Sequence, residues 1–190
     1  MKTFIFSNCK KSDNETFVKN VQSQIPLEDT RLVFLNRGLT FWPNKELWSH
    51  PNIVFILHEF PVLGLSGYWG LQDIFEHEPE FPMQEVVLFR PLPGWEYAEL
   101  NIGRKNITNP FSSVKVKTPW VKQYEKDNPG KGPTTGMSAF FFVQLLYGAK
   151  PEDIVLVNFY GNDDNSTPKF NSHNWDFEDK WVKQQQRIFC

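Results

Sequence analysis

The stretch Pro133-Thr134-Thr135-Gly136-Met137-Ser138-Ala139-Phe140-Phe141-Phe142-Val143-Gln144-Leu145-Leu146-Tyr147-Gly148, with Ile154-Val155-Leu156-Val157 after it, decides the fold class. Its first part predicts a helix from Thr134 to Tyr147, apolar almost all the way round and therefore enclosed by the rest of the protein. Thr134 or Thr135 suits the cap of the first turn, and Gly148, with Lys150-Pro151 beyond it, suits the stop. Residues 154–157 then form a short, continuously apolar strand. A helix feeding a strand that is apolar on both faces is the repeating step of a parallel sheet.

Upstream, the same kind of strand recurs. Thr3 to Ser7 is apolar and ends in Asn8-Cys9-Lys10-Lys11-Ser12-Asp13; Asn14 to Gln24 has helical spacing through Phe17, Val18 and Val21, and Pro26 ends it. Arg31 to Leu35 is a second strand stopped by Asn36-Arg37-Gly38, and Ile53 to Leu57 a third stopped by His58-Glu59. Three buried runs, each ending in a polar loop, predict an α/β fold: a mainly parallel sheet with helices on both faces. Between residues 59 and 132 repeated Pro and Gly break the pattern. Glu85 to Phe89 reads as another strand, Val114 to Val116 as a weaker one, and residues 65–77 as a short helix. This irregular region either shapes an acceptor-side pocket or serves only as packing.

At 190 residues the chain suits one domain, and 40% hydrophobic content makes it globular. Aromatic residues reach 16%, enough to fill the core and leave Trp and Tyr at loop edges, where they suit stacking on sugar rings or bases. The formal net charge of -2, without a basic block, argues against nucleic acid as a partner. Two cysteines, Cys9 and Cys190, fit neither a zinc site nor a disulfide framework, and a reducing, cytoplasmic setting suits them best. The apolar run at the N-terminus is too short for a signal peptide or a membrane span. Trp42, Trp48, Trp69 and Trp120 offer a peripheral membrane contact that nothing in their spacing requires.

Two features carry chemistry. The start of the 134–147 helix presents backbone N–H groups and a positive dipole end, and Gly136 permits close approach; this is either a seat for phosphate or carboxylate or an ordinary capped helix. His173 precedes a second amphipathic helix with Trp175, Phe177, Trp181, Val182 and Ile188 at apolar positions and Asp176, Glu178 and Asp179 in its first turn. The helix terminus disfavours the imidazolium and the carboxylates favour it, and one carboxylate can hold a ring N–H in place. The result is either a general base with one bare nitrogen or a polar turn residue. Asp163-Asp164 lies among Asn, Ser and Gly and reads as a solvated turn in preference to a metal site.

Taken together, Pro133-Thr134-Thr135-Gly136, the Tyr160-Gly161 pair and His173-Asn174-Trp175-Asp176-Phe177-Glu178 resemble the small and very small motifs of the animal-type sialyltransferases. Asn8 and Asn36, each after a strand, are similar in place and type to the large motif of that family. The family's paired motif cysteines are absent, and its additional histidine motif has no counterpart unless His58 supplies it. The resemblance implies a Rossmann-like fold, a variant of the GT-A glycosyltransferase type, in a small bacterial-type cytoplasmic enzyme working at the inner face of the membrane. It implies transfer of sialic acid, or a related acidic sugar such as Kdo, from its CMP conjugate to a surface-glycan acceptor. Asn8, Asn36, Thr134, Thr135, Gly136 and Tyr160 would bind the donor, His173 would be the base with Glu178 beside it, and neither metal nor cofactor would be needed. The alternatives are a nucleotide- or carbohydrate-binding module without catalysis, and a metal-dependent transferase using a nucleoside diphosphate sugar.

Overall fold

In the computed structural model of the chain, residues 1–7, 16, 19, 27–35, 52–57, 85–88, 107–108, 119–163 and 169–189 are described. The fold is α/β. Strands β1 (Lys2–Phe6), β2 (Thr30–Leu35), β3 (Ile53–Leu57), β4 (Glu85–Leu88) and β5 (Ile107–Thr108) precede helices α1 (Pro119–Asp127) and α2 (Thr135–Tyr147). After them come β6 (Ile154–Val157), α3 (Trp175–Val182) and β7 (Arg187–Ile188). The strands form one seven-stranded sheet in the order β5-β4-β3-β2-β1-β6-β7, with parallel pairing throughout.

The register explains why the strands are apolar without interruption. Ile5 pairs with Val33 and Leu156, and Val33 with Val54, so these four side chains form a row across one face. That row is the floor of the core beneath Ala139, Phe140, Phe142 and Val143 of α2 and Val182 of α3. On the other face Phe4, Phe6, Leu32, Phe34, Val155 and Val157 are buried as well, and Phe6 stacks on its register partner Phe34 at 4.7 Å. A strand covered on both sides has no polar alternation to display. Each such side chain removed from water contributes about 1.5–3 kcal/mol before entropy is counted.

Helix α2 begins and ends as its sequence predicts. Thr134 is the cap and its hydroxyl accepts from the Met137 N–H, while Gly148 closes the helix in the left-handed region at φ 63°. Its burial is less complete than its composition suggests, because Leu145 near the C-terminal end is 62% exposed. Around it lies an aromatic cluster. Trp120 of α1 stacks on Phe141 at 4.9 Å and meets the edge of Phe142, and Trp181 of α3 meets Phe140 at 5.1 Å. Much of the aromatic surplus is therefore packing between helices. Trp120, expected as a membrane-facing residue, is half-buried in that packing.

Three expectations need correction. Ile188 does not belong to the helix after His173: α3 ends at Val182, and Ile188 pairs with Val157 at the edge of the sheet. The strand wins there because the edge of β6 offers backbone bonds, such as that from the Asn158 N–H to the Ile188 carbonyl, that a polar Lys183–Gln186 helix extension would not replace. Helix α1 was not expected at all, and neither was β5. The helices read at Asn14–Gln24 and at 65–77, the strand at 114–116 and the cover of the second sheet face lie outside the described residues. Among the described residues no helix is long and apolar enough to cross a membrane.

Gly136 and Gly148 are constrained for different reasons. A Cβ on Gly136 would lie 2.5 Å from the Phe159 ring, whereas a Cβ on Gly148 would meet nothing but would sit on a left-handed backbone. Gly148→Ala should cost about 1 kcal/mol, and Gly136→Ala about 1–3 kcal/mol through overpacking. Denaturant unfolding of the two variants checks both values.

Candidate active site

Because α2 runs back against the strands before β6, its first turn lies at their carboxyl edge, and α3 starts from that same edge. The close packing of Gly136 on Phe159, two residues past β6, fixes this geometry. The strand order reverses between β1 and β6, the place where open parallel sheets form a crevice for ligands. There the Ser7 hydroxyl donates to the Asn158 carbonyl at 2.7 Å. Asn158 is buried and holds a positive φ of 57°, a conformation that asparagine tolerates better than other residues with a side chain.

His173 is clipped to the segment that leads into α2. Its ring Nδ1 lies 2.7 Å from the Gly132 carbonyl oxygen, and the Gly132 N–H donates to the Ser172 carbonyl at 2.8 Å. A carbonyl only accepts, so Nδ1 carries the hydrogen and the neutral ring keeps Nε2 bare. The expected orienting carboxylate is thus replaced by a backbone carbonyl. The ring is half-buried and meets the Trp175 indole edge-to-face at 5.6 Å.

Glu178 has a different task from the one read for it. Its side chain is buried, with 4% exposed, and its carboxylate reaches the beginning of α2. Oε1 accepts from the Tyr124 hydroxyl and from the Thr134 N–H, each at 2.9 Å, and Oε2 accepts from the Thr134 hydroxyl. The Tyr124 hydroxyl in turn accepts from the Asn174 N–H at 3.2 Å, and Asn174 caps α3 through the Phe177 N–H. Asn128, at the end of α1, receives the Asn174 side-chain amide at 2.6 Å. One carboxylate therefore ties the starts of α2 and α3 to α1.

This changes the reading of the helix terminus. The Thr134 amide bonds to Glu178 and the Met137 amide to the Thr134 hydroxyl, so the chain's own groups take two of the positions expected for a donor anion. The glycine at 136 makes room for Phe159, where a ligand was expected to approach. Thr135 follows directly in the first turn. Tyr160 is half-buried at the same edge, its hydroxyl donating to Asn158 Oδ1 at 3.5 Å and its ring tilted on Phe189.

The remaining first-turn acids brace the loop after β6. Asp179 accepts from the Asn162 N–H and from Lys183, whose ammonium holds this carboxyl below the usual carboxylate range. Asp176 accepts from the Asn162 side chain at 3.0 Å. Asp163 is exposed. Among the described residues no group of three or more His, Cys, Asp or Glu side chains is placed to hold a metal ion. Asn8, Asn36, His58, Asp164, Trp42, Trp48 and Trp69 lie outside the described residues.

Tyr124, Asn128 and Asn158 are the site residues that the sequence reading missed. Pro119 at the first helical position, with Trp120 and Tyr124 four apart, is a helix-start signal that would have found the first two. Asn158 had only its place after an apolar strand to mark it. Comparison with protein-family models, with curated proteins and with solved structures found no match.

Burial pushes the Glu178 carboxyl above the usual carboxylate range, against the pull of bonds from Thr134 and Tyr124 and of a nearby His173 cation. Burial also raises the Tyr124 phenol, and the Glu178 charge adds to it. A raised folded value means that the folded protein holds its proton more tightly than the unfolded chain. The contribution is complete below the ordinary carboxylate range and is lost as pH rises through the raised value. Glu178→Gln should therefore lose less thermal stability than wild type between about pH 5 and pH 8, as thermal unfolding across that range will show.

Proposed function

We propose that the chain is a glycosyltransferase that moves an acidic sugar, sialic acid or a relative such as Kdo, from its CMP conjugate to a glycan acceptor. The observation that carries this reading is the His173 imidazole, fixed by Nδ1 to Gly132 and hence beside the turn that opens α2 at the carboxyl edge of a parallel sheet. In such a site the acceptor hydroxyl gives its proton to Nε2 while its oxygen forms the new bond to the anomeric carbon. The bond from that carbon to phosphate breaks through an oxocarbenium-like state, with inversion, and CMP leaves as an anion.

The finer fold reading, a Rossmann-like sialyltransferase domain, belongs to the same proposal. It assigns the donor to Asn8, Asn36, the Thr134-Thr135-Gly136 turn and Tyr160, on the motifs quoted above. The positive end of α2 favours the phosphate. Because burial pushes Glu178 toward its neutral form, that acid offsets less of the α2 dipole than an exposed carboxylate would. Glu178 then acts as a positioning residue, holding Thr134 and, through Asn174, the start of α3. Working from the cytoplasm, at the inner face of a membrane, is part of the reading.

A second reading has one observation of its own. The Thr134 amide and hydroxyl both bond to Glu178, which suits a structural knot in a nucleotide- or carbohydrate-binding module without catalysis. The two readings separate in one pair of measurements. In a thermal-shift series with CMP, CDP, UDP and GDP, the transferase should respond to CMP, by about 2.7 kcal/mol at a hundredfold excess over Kd. His173→Ala should keep that response and lower transfer or hydrolysis of CMP-sialic acid and CMP-Kdo by about 10²–10⁴-fold. Equal turnover in both proteins, or none in either, removes the transferase reading.

A further inference from the structure

We infer that Trp175 and Phe170 form the acceptor subsite: a rigid aromatic platform on which one pyranose ring of the acceptor stacks beside His173. This inference rests on the transferase reading for the meaning of "acceptor", but its geometry stands on its own. Phe170 is 46% exposed, and the Trp175 side chain remains partly exposed beside it. Single exposed aromatics are ordinary. Here two of them lie on one short loop around the candidate base.

That loop is locked with no ligand present. The Phe170 carbonyl accepts both the His173 N–H at 3.3 Å and the Trp175 indole N–H at 2.9 Å. The Lys131 ammonium donates to the Asn171 carbonyl, and the Gly132 N–H donates to Ser172. The indole thus has its polar tip bonded inward. Its position relative to the imidazole is set by the edge-to-face contact at 5.6 Å, with the planes 83° apart. Loops seldom hold a large aromatic so firmly at the surface unless the ring has something to meet, because fixing side chains and backbone costs conformational entropy.

The identity of the occupant follows from distance and chemistry. A hydroxyl bonded to Nε2 belongs to a sugar ring whose own width is close to the separation of the imidazole from the indole. That sugar therefore meets Trp175 or Phe170 with one face. Pyranoses with several ring C–H groups on one side, galactose being an example, present an apolar surface to an aromatic ring, while their hydroxyls remain directed to water and to the base. No charged side chain is required, which suits a neutral acceptor and an acidic donor held elsewhere.

The test uses the full chain, saturation-transfer difference NMR and three probes: methyl β-D-galactopyranoside, methyl β-D-glucopyranoside and methyl α-D-mannopyranoside. Wild type should transfer saturation to the C–H groups of one face of at least one probe. Trp175→Leu and Phe170→Ser should each weaken its binding, up to about tenfold. Phe170→Ser, at an exposed position, keeps the test intact if Trp175→Leu fails to fold. The inference is overturned if no probe receives saturation from wild type, or if folded variants bind it as wild type does. CMP thermal shifts on the same samples separate the two proposals. Platform-dependent sugar binding without a CMP response sinks the donor reading alone, and a CMP response with platform-independent sugar binding sinks this one alone.

Discussion

A single buried carboxylate organises the carboxyl edge of this protein. Glu178 accepts from a tyrosine of α1 and from the backbone and hydroxyl of the residue that caps α2, while lying itself one turn into α3. A carboxylate taken out of water is costly unless its lone pairs are met, and here three donors meet them. Removing any one would leave a buried polar atom without its bond, a loss of about 1–3 kcal/mol. The arrangement explains why α1, α2 and α3 share one meeting point. It also explains why the loop that bears His173 is fixed: that loop runs directly into the Asn174 cap that the same network secures.

The sheet decides where that meeting point lies. In a parallel sheet each helix that leads back into a strand starts at the carboxyl edge and ends at the amino edge, so chemistry collects at one side only. β1 stands between β2 and β6, and the crevice created by the change of direction opens beside Ser7, Asn158 and the first turn of α2. The core row of Ile5, Val33, Val54 and Leu156 beneath α2 holds the helix on the sheet. Trp120 and Trp181 then clamp it from its neighbours. Packing and site are thus one construction: the aromatic cluster sets where α2 lies, and α2 sets where its capped turn meets the Glu178 carboxylate.

Some of this was legible in the residues. Strands β1, β2, β3 and β6 are continuous apolar runs between polar loops, a signal that survives without any tertiary knowledge because burial on both faces dictates it. The caps of α2 were legible because threonine and glycine there answer local backbone needs. The candidate base was legible as a histidine next to a helix start. What was not legible was partnership. The Gly132 carbonyl that orients His173, the Tyr124 hydroxyl that meets Glu178 and the Phe159 ring that requires a glycine at 136 all come from distant parts of the chain. Ile188 shows the same limit in secondary structure, since its helical spacing yielded to pairing with β6.

The sequence by itself determined the class of fold, the direction of α2 and the types of group available at its start, because hydrophobic period and capping act over a few neighbouring residues. Only the tertiary structure decided what those groups do. Whether a helix terminus faces a ligand or its own carboxylate, and which nitrogen of an imidazole stays bare, depends on atoms brought together across some forty or fifty residues of chain. No local pattern encodes such meetings, since they are fixed by the packing of whole elements against the sheet.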